Sequence, residues 1–122
     1  MMMRAMLKSK IHRATITEAN LAYEGSLTID ANLMSAADIL PYEMVHIYNI
    51  SNGERFETYA IRGEPGSGVM CLNGAAARKG AVGDLIIVTT FCTYAPDELA
   101  HHNPKIVMVD AQNRQKPKLS AL

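Results

Sequence analysis

The pair Gly25-Ser26 is the feature of the sequence that could undergo the most unusual reaction. A serine hydroxyl can attack the preceding carbonyl in an N-to-O acyl shift, and glycine permits the backbone conformations that this attack needs. The ester that forms can undergo β-elimination, which cuts the chain and leaves a dehydroalanine that hydrolyses to an N-terminal pyruvoyl group. Gly-Ser is also a common turn dipeptide, so the pair alone predicts a turn and leaves self-cleavage as the alternative.

A predicted strand over residues 55–62 carries a second group of polar side chains and follows an Asn-Gly turn. Side chains alternate along a strand, which puts Arg55 and Tyr59 on the same face. As a functional site they would form an anion clamp with a phenolic proton donor. As structural residues they would form a cross-strand ion pair and a tyrosine at the edge of the core. The pattern leaves both interpretations open.

Residues 73–77 read Asn-Gly-Ala-Ala-Ala and join the end of a predicted strand to a short helix. The structural interpretation is a turn followed by a helix cap. The functional interpretation is a row of free amides at the start of the helix, which can hold a carboxylate or an oxyanion. Alanine side chains are too small to block the approach of such a group.

Several other motifs favour structure over chemistry. The glycine-rich stretch at 63–68 has neither Walker nor dinucleotide spacing, so it is read as a loop. His101 and His102 are adjacent and lack a spaced acidic partner, which favours solvated loop histidines over metal ligands. Cys71 and Cys92 lie in apolar strand-like stretches and are expected to be small buried side chains. We therefore expect no metal site.

The chain has 122 residues, 48% of them hydrophobic and 20% charged, which suits one globular domain and excludes wholesale disorder. Its net charge of zero combines basic segments at 1–13 and 114–122 with an acidic middle. That distribution gives no continuous basic face, so we expect no nucleic-acid partner. We also expect no membrane span and no secretory signal, and hence a cytoplasmic protein.

Short elements must position the candidate residues, because proline and glycine divide the sequence into small pieces. β-branched and alternating stretches predict strands, and Asp30 predicts the cap of the first helix. Strands are expected at residues 3–17, 26–29, 44–50, 55–62, 69–72, 84–94 and 105–109, and short helices at 31–37, 74–79 and 96–99. This pattern predicts a mainly β fold, a compact barrel with short helices, followed by a flexible tail over about 111–122.

Five stretches taken together resemble the bacterial aspartate 1-decarboxylase family. They are Met-Leu-x-x-Lys-Ile-His-Arg at 6–13, Tyr-Glu-Gly-Ser at 23–26, Ile-Asp at 29–30, Asn-Gly-x-Arg-Phe-x-Thr-Tyr-Ala-Ile at 52–61 and Asn-Gly-Ala-Ala-Ala at 73–77. Their order, their spacing and the overall length match, and the resemblance covers roughly residues 3–110. Tyr48 departs from the pattern, because relatives often carry a tryptophan there.

The resemblance implies a small double-psi β-barrel, a single domain over residues 1–122, and a homotetramer with active sites between neighbouring subunits. It implies autocatalytic cleavage at Gly25-Ser26 into a β-chain, 1–25, and an α-chain, 26–122. The implied reaction is pyruvoyl-dependent decarboxylation of L-aspartate to β-alanine and CO2 for pantothenate biosynthesis. The sequence leaves open whether maturation needs a helper protein.

The resemblance also implies roles for residues of this chain. Ser26 becomes the covalent pyruvoyl cofactor, which forms a Schiff base with the substrate amine and takes up the electrons left at Cα without a metal. Tyr59 protonates Cα after CO2 leaves, and Thr58 binds the Gly25 carbonyl during cleavage. The implied substrate-binding residues are Lys10, His12, Arg55, Thr58, Asn73, Gly74, Ala75 and Ala76.

Two other classes of protein fit parts of the sequence. A non-enzymatic barrel that binds peptide or DNA would show no cleavage and would leave Arg55, Thr58, Tyr59 and Asn73 without a joint purpose. A pyruvoyl-dependent decarboxylase of another amino acid, histidine or arginine, would share the cleavage chemistry. Two cationic residues facing the substrate favour a dicarboxylate over a cationic amino acid.

Overall fold

Nine strands make up nearly half of residues 1–117, the part of the chain that the computed structural model describes. The strands are β1 (Arg4–Thr15), β2 (Glu18–Asn20), β3 (Leu27–Asp30), β4 (Met44–Asn49), β5 (Arg55–Gly63), β6 (Met70–Asn73), β7 (Leu85–Tyr94), β8 (Lys105–Val109) and β9 (Gln115–Lys116). One α-helix, α1 (Ala31–Ala36), and two 3₁₀ helices, Gly74–Lys79 and Leu99–His101, connect them. The predicted strands are confirmed to within one or two residues at most ends.

A single bent segment, β1 with β2, closes the sheet on itself. β1 pairs antiparallel with β7 and parallel with β8, whereas β2 continues the same segment after Ile16 and Thr17 and pairs with β6. The strand order is β2-β6-β3-β5-β4-β7-β1-β8-β9, so this segment joins two distant parts of the sheet. Main-chain bonds of 2.9 Å from Ile16 N to Asp84 O and from Thr17 N to Met70 O hold the bend. The mainly β fold with a small barrel is confirmed.

Aliphatic side chains from nearly every strand fill the inside of the barrel. They come from alternate positions, because neighbouring residues of a strand face opposite sides of the sheet. The fully buried aliphatic residues include Ile11, Ile16, Leu27, Ile29, Val45, Ile47, Leu72, Ile86 and Val88. Their removal from water is the main favourable term that holds the strands in this arrangement.

Asp30 ties three pieces of backbone together where β3 ends. Its carboxylate accepts hydrogen bonds from the amides of Asn32 at 2.8 Å, Gly66 at 3.0 Å and Gly68 at 2.8 Å. The first bond caps α1, as the sequence predicts, and the other two fasten the loop after β5. Burial would raise the pKa of Asp30, but these amides, with Arg114 nearby, outweigh it and lower the pKa.

Part of the predicted tail forms secondary structure in the described residues. Residues 111–117 form a turn and β9, which pairs with β8. Asn113 is 1% exposed, and its side chain binds both main-chain groups of Thr15 and the carbonyl of Gly68, each at 2.8 Å. These bonds satisfy backbone groups at the seam of the barrel, which fixes the segment. Residues 118–122 of the predicted tail lie outside the described part of the chain.

Three smaller expectations differ from the structure. The predicted turn of helix at 96–99 falls later, at Leu99–His101, and the short strands β2 and β9 were not predicted. Cys71 is buried as expected, but Cys92 is exposed, because residues 91–93 near the end of β7 are all exposed. Within residues 1–117, no helix is long and apolar enough to cross a membrane.

Candidate active site

Ser26 has the most unusual backbone at the predicted cleavage pair. Its φ is 105°, a value that residues with a side chain rarely adopt and that costs about 1–3 kcal/mol. The residue is 1% exposed, and its carbonyl accepts a 2.9 Å bond from the amide of Asn73. The sequence suggested that Gly25 would take the strained conformation, whereas the positive φ falls on Ser26. Neighbouring structure therefore holds the serine in a conformation that it would not choose by itself.

The side chain of Asn73 forms the centre of a buried hydrogen-bond network around Ser26. Its Nδ2 donates to Ser26 Oγ at 3.2 Å and to Thr28 Oγ1 at 2.8 Å. Its Oδ1 accepts a bond from Cys71 Sγ at 3.0 Å. Asn73 is 4% exposed, so these partners replace water for both ends of the amide. Sequence reasoning found Asn73 but did not find Thr28 or Cys71.

Gly74 allows the chain before Ser26 to lie directly against the start of the first 3₁₀ helix. A Cβ at this position would lie 2.6 Å from Gly25 N and 2.7 Å from Tyr23 O, and the φ of Gly74 is 60°. Both features exclude a side chain. Asn73 precedes the helix but makes no side-chain cap bond, because its amide is used on Ser26 and Thr28. The predicted row of amides therefore begins uncapped beside Gly25.

A cavity of about 220 Å³ brings the predicted cleavage residues together with two of the predicted substrate-binding alanines. The lining residues are Gly25, Ser26, Phe56, Glu57, Thr58, Ala75, Ala76 and Lys79. This volume is below the range typical of drug-sized ligands and suits a small molecule. Within the described residues, no hydrogen bond joins the Thr58 hydroxyl to the Gly25 carbonyl, so Thr58 is adjacent to the cleavage pair without the predicted bond. Phe56, Glu57 and Lys79 are lining residues that the motifs did not single out.

Tyr59 brings a phenol to the cleavage pair from β5. Its oxygen lies 3.9 Å from the point that a Cβ on Gly25 would occupy. The side chain is 38% exposed, and its ring is 6.2 Å from that of Tyr42, measured between centroids. An exposed phenol beside Gly25 can exchange protons with solvent and reach a small molecule bound there.

Arg55 faces a different cavity from Ser26. This cavity has a volume of about 330 Å³ and is lined by His46, Tyr48, Arg55, Phe56 and Glu57. The Arg55 guanidinium lies 4.1 Å from the centroid of the Tyr48 ring, a cation–π contact. Tyr48, the position that departs from the family pattern, thus supplies an aromatic face to the predicted anion-binding arginine.

Lys10 and His12 lie on β1, which is separated from β3 by three strands in the sheet order. A bulge at Arg13, whose φ is 66°, lets His12 and Arg13 line the same cavity of about 240 Å³ together with Lys116. Burial lowers the pKa of His12, and the charges of Lys10, Arg13 and Lys116 lower it further. His12 Nδ1 is buried and has no hydrogen-bond partner among the described residues.

The fold and this site define a small β-barrel protein with a strained, buried serine, Ser26, directly after Gly25. A family model described as aspartate decarboxylase matches residues 2–116. The chain belongs to the aspartate decarboxylase family.

Individual relatives agree with this assignment. The chain is 66% identical to aspartate 1-decarboxylase of Syntrophobacter fumaroxidans over 113 residues, which are 93% of this chain and 91% of that protein. It is 54% identical to the enzyme of the same name from Desulfotalea psychrophila, over 94% of this chain and 97% of that protein. It is 58% identical to that of Syntrophus aciditrophicus, over 94% of this chain and 99% of that protein.

Proposed function

We propose that this chain is a lyase that converts L-aspartate to β-alanine and CO2, after it cleaves itself between Gly25 and Ser26. The observation that carries the proposal is Ser26 itself, with a φ of 105° and a buried hydroxyl bound by Asn73. Membership of the aspartate decarboxylase family and the names of the relatives support the substrate. The product β-alanine would serve pantothenate biosynthesis in the cytoplasm.

Self-cleavage begins with attack of Ser26 Oγ on the carbonyl carbon of Gly25. The bond from that carbon to Ser26 N breaks, the hydroxyl proton ends on the freed nitrogen, and an ester replaces the amide. Release of strain in the Ser26 backbone favours this step, because the φ of 105° belongs to the intact chain. Asn73 N keeps the Ser26 carbonyl fixed while the amide rearranges.

Elimination then cuts the chain. The Ser26 Cα loses its proton, the bond from Cβ to Oγ breaks, and Oγ leaves as part of the Gly25 carboxylate. Asn73 Nδ2 donates to this same Oγ, so it stabilises the negative charge that develops there. Water hydrolyses the remaining dehydroalanine, ammonia leaves, and residue 26 ends as a pyruvoyl group.

The surroundings of residue 26 suit such a group. The cavity is lined by small side chains at Ala75 and Ala76, and Gly74 leaves no Cβ against Gly25. When present, the pyruvoyl carbonyl supplies an electron sink that no ordinary side chain offers. Around it, Thr58 and the first amides of the 3₁₀ helix would orient the substrate. Asn73 would keep residue 26 in position.

Tyr59 would return the proton to the substrate Cα after CO2 has left. Its phenol lies beside Gly25 and is partly exposed, so it can be reprotonated from solvent between turnovers. A phenol that donates a proton carries no charge of its own beforehand, so it neither repels a dicarboxylate nor competes for its cationic partners.

The two carboxylates of aspartate call for cations, which we assign to Arg55 and Lys10 with assistance from His12. Within one chain His12 and Arg55 line other cavities than the one around Ser26, and Lys10 lies on β1 beside His12. A homotetramer with sites at its interfaces would bring these side chains of one subunit to Ser26 of its neighbour. Closed symmetric assembly is the usual form of such a homo-oligomer.

The intact mass of the denatured protein tests the proposal. We expect two chains, residues 1–25 and residues 26–122, the second with pyruvoyl in place of Ser26, and β-alanine formation by the same preparation. Incubation of uncut chain with extract of its natural host separates autonomous cleavage from cleavage that needs a helper protein. A chain that stays whole under both conditions would rule out the proposed enzyme.

A further inference from the structure

We infer that Cys71 is a positioning residue for self-cleavage, because its thiol fixes the orientation of the Asn73 amide that acts on Ser26. This inference rests on the proposed function. Cys71 does not touch the reacting atoms, and its effect is exerted through Asn73 alone.

The pairing of β3 with β6 creates the arrangement. Thr28 and Cys71 are opposite each other in that antiparallel register, and both contact the side chain of Asn73. The thiol donates to Asn73 Oδ1 at 3.0 Å, while Thr28 Oγ1 accepts from Nδ2 at 2.8 Å. With the oxygen bound to a donor, Nδ2 is left pointing at Ser26 Oγ.

The opposite orientation of the amide would fail in two ways. It would place Oδ1 against Ser26 Oγ, where its lone pairs would oppose the negative charge of the departing carboxylate. It would also leave Nδ2 to donate to the thiol sulfur, which is only a weak acceptor. An amide can take either orientation by rotation about one bond, so its hydrogen-bond partners decide which one is populated.

The surroundings of Cys71 keep the thiol protonated, as a donor requires. The residue is 4% exposed. Burial, and then the neighbouring Glu18, raise the pKa of the thiol to about 11. A cavity of about 600 Å³ lies on this side of Asn73, and Glu18, Cys71 and Asn73 all line it. The donor to Asn73 therefore persists across the neutral and moderately alkaline range.

The test compares cleavage rates of variants that keep or lose a donor at position 71. Cys71→Ser keeps a hydroxyl donor, whereas Cys71→Ala and Cys71→Val have none, the first smaller and the second larger than cysteine. Cys92→Ala, at the exposed cysteine, is the matched control for loss of a thiol. Each chain is made by cell-free translation, and intact mass follows the uncut fraction over time.

We expect Cys71→Ala and Cys71→Val to cleave about tenfold more slowly than the unaltered chain, as loss of one hydrogen bond implies. Cys71→Ser and Cys92→Ala should stay within about threefold of it, a difference below the worth of one such bond. Thermal unfolding, measured with Ser26→Ala added so that all chains stay uncut, identifies any variant that fails to fold.

The outcomes separate the two proposals. If the unaltered chain does not cleave, even with host extract, the proposed function fails. If it cleaves and the two apolar variants match its rate, or if Cys71→Ser is as slow as they are, the role of Cys71 is overturned. Where neither apolar variant unfolds cooperatively, Cys71→Ser decides alone: a rate near that of the unaltered chain supports the role, and a tenfold loss refutes it.

Discussion

The residues around Ser26 and the cationic residues of β1 and β5 are organised in opposite ways. Around Ser26, one chain brings together Gly25, Thr58 and Asn73 from distant parts of the sequence. The side chains of Ser26, Thr28, Cys71 and Asn73 are uncharged and bind one another, and the charged Glu57 and Lys79 line the same cavity. His12 and Arg55 instead line other cavities, and His12 Nδ1 has no partner in the described chain.

This difference separates two tasks. The chemistry that cuts the chain needs groups that are fixed before any other molecule arrives, and a single fold can supply them. Recognition of a dicarboxylate needs positive charges that would repel one another without the substrate. A second subunit can supply those charges at an interface. Variants of the chain can test whether cutting and substrate recognition are separated in this way.

Replacement of Ser26 has the largest expected effect. Ser26→Ala removes the attacking hydroxyl and the source of the pyruvoyl group, so cleavage and β-alanine formation should both be lost entirely. The fold should persist, because the residue is buried and the change removes one oxygen. Intact mass, product assay and thermal unfolding measure the three properties. Any decarboxylation by pure Ser26→Ala would refute the pyruvoyl chemistry.

Tyr59→Phe should separate cutting from catalysis. The phenol is assigned to a step after CO2 loss, whereas cutting depends on Ser26 and Asn73. We expect complete maturation but turnover about 10²–10⁴-fold slower, the usual loss for one positioned general acid. Cleavage by mass and β-alanine production are measured on the same preparation. If maturation fails but the few mature chains are fully active, Tyr59 acts in self-cleavage and not in catalysis.

Hybrid oligomers test whether the two groups of residues meet between subunits. Arg55→Ala should mature but bind aspartate poorly, and Ser26→Ala should stay uncut but keep Arg55. Co-assembled in equal amounts, they should recover about a quarter of the unaltered activity, because one interface in four pairs a mature residue 26 with an intact Arg55. Separately refolded and then mixed oligomers are the control. No recovery in the hybrids would place both groups in one subunit.

Asp30→Asn should have the smallest effect, and it should change the stability of the fold near Ser26. It weakens bonds to three backbone amides and should cost about 1–3 kcal/mol in the free energy of unfolding. Since folding lowers the pKa of Asp30, its stabilisation is full above the unfolded pKa and is lost as pH falls through the folded pKa. Thermal unfolding is measured against pH in chains carrying Ser26→Ala. The variant should therefore lose less stability at low pH than the chain that keeps Asp30.

The sequence predicts the parts of this molecule that depend on local patterns. β-branched runs indicate β7 and β8, and Asp30 marks the start of α1. The family motifs point to Ser26, although not to its positive φ, which no local pattern of the sequence indicates. Contacts between distant residues of ordinary type give no local signal.

Three features of the structure depend on such contacts and could not be predicted from local sequence. Cys71 and Thr28 look like routine strand residues until the β3–β6 register places both on Asn73. Asn113 looks like a tail residue until its amide is seen at the barrel seam. The separate cavities of His12 and Arg55 follow from the order of strands, which no single motif encodes.

The bent segment of β1 and β2 lies wholly before Ser26, and this gives the cut a thermodynamic meaning. After cleavage, the segment is a separate polypeptide inserted between β7 and β8 and against β6. Folding of the uncut chain is unimolecular, whereas reassembly of the two pieces depends on their concentration. Dilution after melting would then prevent recovery, so a protein cut in this way would owe its persistence to slow unfolding. The barrel would fold as one molecule and persist as two.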